Sequence, residues 1–221
     1  MNGELPRTFW DVPVELIDAD WAAKREAAAV VRELVATLVI TDAPASALEA
    51  AKAHAQAALD AIASHPKRTF GDIIGNGSPR DVAQVADRGT LVGPCNPVAP
   101  PMMLRMLDGD SRAVGEVTFD SPYEGGPGML HGGLVAAAFD QVFGYLQTER
   151  RVPCLTGTLS TKYRLPTPIR TPLVFEVWIA SVSGRRTKLE GTCTARGQVT
   201  AEGEALFIEI DREMMKKRQD A

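Results

Sequence analysis

Asp140 is the one carboxylate in a long apolar run, and that setting is the first chemical signal in the sequence. Phe139, Val142, Phe143 and Leu146 surround it in sequence, Gln141 stands beside it, and no polar stripe of useful width interrupts residues 134–146. A helix that is hydrophobic all round is a buried helix. A carboxylate placed there is costly unless it is paired, hydrogen-bonded or functional. The run opens on a second signal, His131-Gly132-Gly133, after the glycine-rich stretch 124–128. No Ser, Thr, Asp or Asn stands at this helix start, so its first N–H groups are expected to carry no side-chain cap. Uncapped N–H groups with the helix dipole behind them suit a developing oxyanion, and glycines let a carbonyl approach the backbone closely. The same glycines also suit a plain tight helix start.

A buried helix needs a sheet to cover it, and the flanking sequence supplies strands. Residues 102–107, a turn at Asp108-Gly109-Asp110 and residues 112–120 predict a hairpin. After the helix, strands are predicted over 154–164, 173–182, 185–196 and 199–210. The third of these alternates cleanly. Thr187, Leu189, Gly191, Cys193 and Ala195 face one side, while Lys188, Glu190, Thr192, Thr194 and Arg196 face the other, as in a half-buried antiparallel strand. Two strands, one buried helix and four strands predict an α+β domain whose antiparallel sheet curls around the helix.

Upstream of this domain the pattern is helical. After an irregular arm (1–13), a helix is predicted over 18–38, capped by Asp18 or Asp20 and striped by Trp21, Ala28, Val31, Val35 and Leu38. Ser46-Ala47-Leu48-Glu49 has the form of a capping box, opening a second helix over 47–64 that stops before Pro66. A short Pro-containing turn between them predicts a helical hairpin, either a packing extension or a lid or partner-binding element. Residues 66–101 are punctuated by Gly and Pro, with a short helix over 79–87 capped by Ser78. The run GDIIGNG lacks the ending of a phosphate-binding loop and is not read as one. The expected division is a helical extension and linker (1–94), a sheet domain (95–212) and a charged tail (213–221).

Composition narrows the chemistry. A net charge of −4 over 221 residues gives no electrostatic reason to expect nucleic acid or an anionic membrane as partner. The central run is too short and too polar at its ends to span a membrane. Cys95, Cys154 and Cys193 are far apart and without CxxC spacing, which argues against a disulfide framework and a zinc site. His54 and His65 lie outside the sheet domain and suggest no metal. The N-terminus has neither the basic flank nor the apolar core of a signal peptide, so a cytoplasmic setting is expected.

Three elements together carry a family resemblance: His131-Gly132-Gly133, Asp140 nine residues after the histidine, and Thr156 followed by the run 162–168, KYRLPTP. With the element order, they resemble the hotdog fold of the 4-hydroxybenzoyl-CoA thioesterase superfamily, in its phenylacetic-acid-pathway (PaaI-like) and mammalian acyl-CoA thioesterase branches. The resemblance covers about residues 95–210. It implies thioester hydrolysis of an acyl-CoA without metal or redox cofactor. By that resemblance the Gly132 amide polarises the thioester carbonyl, and Asp140 either attacks it or activates water. Thr156 orients the water or the carboxylate, with Thr158 a second choice. His131 is expected to hold the turn through a local hydrogen bond, and Gly133 and Gly125 to lie on the substrate path. Several bacterial relatives carry an Asn six residues before the histidine. Gly125 stands there in this chain, as in the glycine- and proline-rich loop of the branch that hydrolyses fatty acyl-CoA. Lys162, Arg164, Arg185, Arg186 and Lys188 are the basic residues placed to meet coenzyme A phosphates.

Spacing adds an expectation about assembly. Gly132 and Asp140 are eight residues apart, or about 12 Å along a helix at ~1.5 Å per residue. Reacting atoms must come within roughly 3–3.5 Å. One chain can hardly bring both groups to one carbonyl, whereas two antiparallel helices in a homodimer can; the expected assembly is a homodimer or a homotetramer of two such dimers. Rival readings are a non-catalytic acyl-CoA-binding or regulatory hotdog protein and a hotdog hydratase or dehydratase. The last needs a His-centred acid–base pair, and His131 has no second histidine beside it in the domain.

Overall fold

The apolar run forms a helix, and the strands around it are long enough to wrap it. In the computed structural model the described residues are 16–69, 71–73, 79–107, 111–150 and 153–210. Helices α1 (Ala19–Ile40), α2 (Ala45–Ala63) and α3 (Pro79–Ala86) come first, then strands β1 (Met103–Leu107) and β2 (Arg112–Val117). A small hairpin of β3 (Glu124–Gly126) and β4 (Met129–Leu130) leads into α4 (Gly132–Glu149). Strands β5 (Cys154–Tyr163), β6 (Leu173–Ser183), β7 (Arg186–Ala195) and β8 (Gln198–Glu209) follow. Six strands make one antiparallel sheet in the order β1-β2-β6-β7-β8-β5. This is a hotdog fold with an N-terminal helical extension.

The core lies between α4 and the inner face of the sheet. Val135, Ala138, Phe139, Val142, Phe143 and Leu146, at helical spacing, are buried on α4. The Phe139 ring meets Phe175 of β6 edge-on at 5.1 Å between centroids and stacks with Phe143 at 5.8 Å. Each phenylalanine so buried contributes about 1.5–3 kcal/mol of transfer free energy. The sheet opposite is cut to fit: a Cβ at Gly203 would lie 2.6 Å from the Phe139 ring. β7 alternates as its sequence predicts, with Leu189, Cys193 and Ala195 inward. The outward residues form a charge ladder in which Lys188 meets Glu190 and Glu204, and Arg112 meets Glu176. Cys95, Cys154 and Cys193 are free, and burial pushes each thiol up to about 11.

The extension is anchored along α1 and again just past α2, where Arg68 donates to Asp81 at 2.8 Å and its carbonyl accepts from Arg88 at 2.6 Å. Asp18 caps α1 by accepting from the Trp21 N–H at 2.9 Å. Buried Asp87, just past α3, accepts from Trp21 Nε1 at 2.7 Å and from both Arg25 Nε and Nη2 at 2.5 and 2.8 Å. That carboxylate holds the Arg25 guanidinium above its ordinary range, chiefly by hydrogen bonding. Two turns on, Arg32 donates to the carbonyls of Ala99, Asn96 and Pro94. Trp21 also packs with Ala83 and Cys95, and Ala28 is buried; the large apolar residues from Val30 to Ile40 are exposed, and α2 buries none.

Two expectations are corrected here. The two helices do not pack as a hairpin: α2 buries no residue and packs along no other described element. Ser46 is not a cap, because the helix starts at Ala45 with Pro44 at the cap position and no side-chain cap bond. The glycine-rich stretch before α4 forms the β3–β4 hairpin, closed through Gly128 at φ +70°, a backbone region glycine enters without strain. The arm 1–13, the Ser78 cap, the 108–110 turn and the 213–221 tail fall outside the described residues.

Candidate active site

Asp140 is half-buried on α4 beside β5. The Thr156 hydroxyl donates to Asp140 Oδ1 at 2.9 Å. A carboxylate held by one hydroxyl keeps its remaining lone pairs for a water or an electrophile. The inward position of Thr156 depends on a bulge. Thr156 pairs with Phe207 and Thr158 with Leu206, so Gly157 is the extra residue. Thr156 therefore shares the inner face with buried Phe207, and Thr158 turns to the outer face, where it lines a groove with Ser160, Arg186 and Lys188. Thr158, the second choice from sequence, is thus on the wrong side of the sheet to reach Asp140.

At the other end of the site, the start of α4 is not bare, which corrects a second expectation. His131 Nδ1 accepts from the Gly133 N–H at 3.1 Å, doing with a ring nitrogen what Asp or Ser does at other helices. The His131 carbonyl accepts from Leu134 and Val135, and the His131 N–H donates to the Tyr123 carbonyl at 3.0 Å. The Gly132 N–H is left without an acceptor among the described residues. Of the amides at this helix start, it is the one available to an oxyanion.

A cavity of about 500 Å³ opens beside it, lined among others by Gly125, Met129, His131, Gly132, Tyr163 and Arg164. Gly125 has a steric reason: a Cβ there would stand 2.6 Å from the His131 Cα, so the β3–β4 hairpin closes against the histidine only without a side chain at that position. This is why no Asn occupies it. Gly133 lies on the exposed side of the same turn.

The basic residues divide between two places. Arg164 lines the cavity and is paired with Glu202 at 2.7 Å, which holds that carboxyl below its usual range. Lys162 lies on the outer face with Glu204, at 3.2 Å, and Lys188 reaches the same carboxylate at 3.3 Å. Arg185 donates to the Glu209 carbonyl near the far end of β8. Of the five basic candidates, Arg164 alone lines the cavity beside Gly132. Sequence reasoning passed over Tyr123 and Tyr163, whose polar tips bond to the Val98 and Gly132 carbonyls. The signal available for Tyr163 was its place in the 162–168 run.

Comparison with known proteins agrees with this architecture. A solved thioesterase superfamily protein is 30% identical, with a TM-score of 0.70 over 84% of this chain and 94% of that one. The chain belongs to the thioesterase superfamily. The acyl-coenzyme A thioesterase THEM4 of Mus musculus is 29% identical over 92 residues, which span 41% of this chain and 40% of the mouse protein. The E. coli PaaI protein from the phenylacetic acid degradation operon is 13% identical, with a TM-score of 0.48 over 51% of this chain and 81% of that one. No protein-family model matches the chain. No helix among the described residues is long and apolar enough to cross a membrane.

Proposed function

We propose that this chain is an acyl-CoA thioesterase that works as a homodimer. The observation that carries the reading is the bond from Thr156 of β5 to Asp140 of α4, a helix whose N-terminal end presents the Gly132 N–H, unpaired among the described residues. Gly132 stabilises the oxyanion formed when the thioester carbonyl is attacked, and Asp140 attacks it or takes a proton from the attacking water. Collapse of the tetrahedral species expels the coenzyme A thiolate; where water attacks, this leaves the free acid, and where Asp140 attacks, it leaves an acyl anhydride on Asp140 that water then hydrolyses to the free acid. Thr156 aims the carboxylate, and Arg164 stands at the cavity beside the carbonyl. His131 serves the turn and not the proton transfer, because its Nδ1 is committed to Gly133.

Assembly follows from the same geometry. About 12 Å of helix separates Gly132 from Asp140, so a site needs Gly132 from one chain and Asp140 from another. β5 is an edge strand with Leu155 at 53% exposure, and an edge of that length invites pairing with another strand. A two-fold pairing of β5 with its copy supports two composite sites.

The test is thiol release from acyl-CoA substrates of graded chain length. Asp140→Asn is expected to lower kcat by about 10²–10⁴, the range for loss of a positioned base. Wild-type turnover in that variant sinks the assignment. Saturable binding without thiol release by the unaltered chain makes it an acyl-CoA binder instead.

A further inference from the structure

We infer that Tyr163 is a positioning residue for this reaction: it locks the Gly132 backbone so that its N–H is already aimed before substrate arrives. The inference rests on the thioesterase reading above. The Tyr163 hydroxyl donates to the Gly132 carbonyl at 2.8 Å. The peptide that carries this carbonyl also carries the Gly133 N–H, which donates to His131 Nδ1. One peptide plane is therefore gripped at both ends by side chains. The plane before it is gripped too, since its carbonyl accepts from Leu134 and Val135. Its N–H is the Gly132 amide, the group left open.

The grip matters because glycine is the residue least able to hold itself. Without a Cβ, Gly132 has the widest backbone freedom of any residue type. A donor stabilises an oxyanion best when it needs no reorganisation at the moment of reaction. A Cβ on Gly132 would lie 3.1 Å from the Tyr163 hydroxyl oxygen and 3.2–3.4 Å from its ring, so a side chain there would crowd the phenol. The ring packs where a side chain would stand, and its hydroxyl replaces the lost conformational restraint. Tyr163 is 56% exposed, so its hydroxyl is not needed to satisfy a buried core group.

Tyr163→Phe keeps the ring and removes the hydroxyl. With a good acyl-CoA substrate, kcat is expected to fall about 3- to 10-fold, the equivalent of one net hydrogen bond, with KM little changed. Hydrogen exchange at the Gly133 amide, followed by NMR, is expected to quicken in the same variant while exchange in the α4 core stays as in wild type. A kcat equal to wild type overturns the inference, whether or not KM moves. If the unaltered chain hydrolyses no thioester, the thioesterase reading fails. The exchange experiment then decides the clamp alone: quickened Gly133 exchange keeps it, and unchanged exchange overturns it.

Discussion

Helices α2 and α4 are 19 and 18 residues long and both are predominantly apolar, yet one buries nothing and the other is the core. The difference lies in side-chain size. α2 carries ten alanines, and its three large apolar residues, Leu48, Leu59 and Ile62, are 39–67% exposed. Alanine is the strongest helix former and offers little surface to bury. Pairs such as Glu49–Lys52 and Gln56–Asp60 add local support. α4 is the reverse case: glycines and two phenylalanines make a poor helix in isolation and a good one against a sheet. One helix is held by propensity and the other by packing, and the proposed site lies on the second. A rigid, enclosed helix can keep a carboxylate and an amide at set positions; a projecting one cannot.

That contrast can be broken or sharpened by substitution. Phe139→Ala should remove about 3–5 kcal/mol of stability in chemical denaturation, the usual cost of truncating a fully buried phenylalanine. A loss under about 1 kcal/mol would mean that α4 is not the core it is described to be. Asp87→Asn tests the anchor of the extension. It keeps the shape but removes the charge that Trp21 and Arg25 share, and should cost about 1–3 kcal/mol. Loss of Trp21 fluorescence change on unfolding, with the sheet domain still melting cooperatively, would show that the anchor is the extension's main attachment. A stability equal to wild type would place the attachment elsewhere. Ile62→Ala, on the bare end of α2, should change stability by less than about 0.5 kcal/mol. A larger, concentration-dependent loss would show that α2 is covered in the assembled protein.

The sequence was most legible where burial imposes a period. α4 and the four long strands were expected within a few residues of their bounds, because inward and outward positions alternate in side-chain type as well as in space. Asp140 stood out for the same reason, as the exception to an apolar period. What escaped had no period to read. The β3–β4 hairpin has three and two residues, too few to alternate. The Gly157 bulge adds one residue to β5, so a strict count by twos put Thr158 on the face of Thr156. His131 was expected to hold the turn but was not read as a cap, because imidazole is outside the usual capping set, although its unprotonated ring nitrogen is a hydrogen-bond acceptor. α2 shows that a helix can be foreseen correctly while its neighbours are not. Its pattern reports that it coils, and says nothing of what it touches.

The three free thiols bear on how this chain can be assayed. With each pushed up to about 11, on the order of 10⁻⁴ of any of them is thiolate at pH 7. A coenzyme A thiol released in solution has no such suppression. A colorimetric thiol reporter added to the folded protein should therefore show a near-flat baseline, and a slow background rise would signal unfolding before it signalled turnover. The same reading doubles as a stability monitor: the protein's own sulfur stays dark while the fold holds.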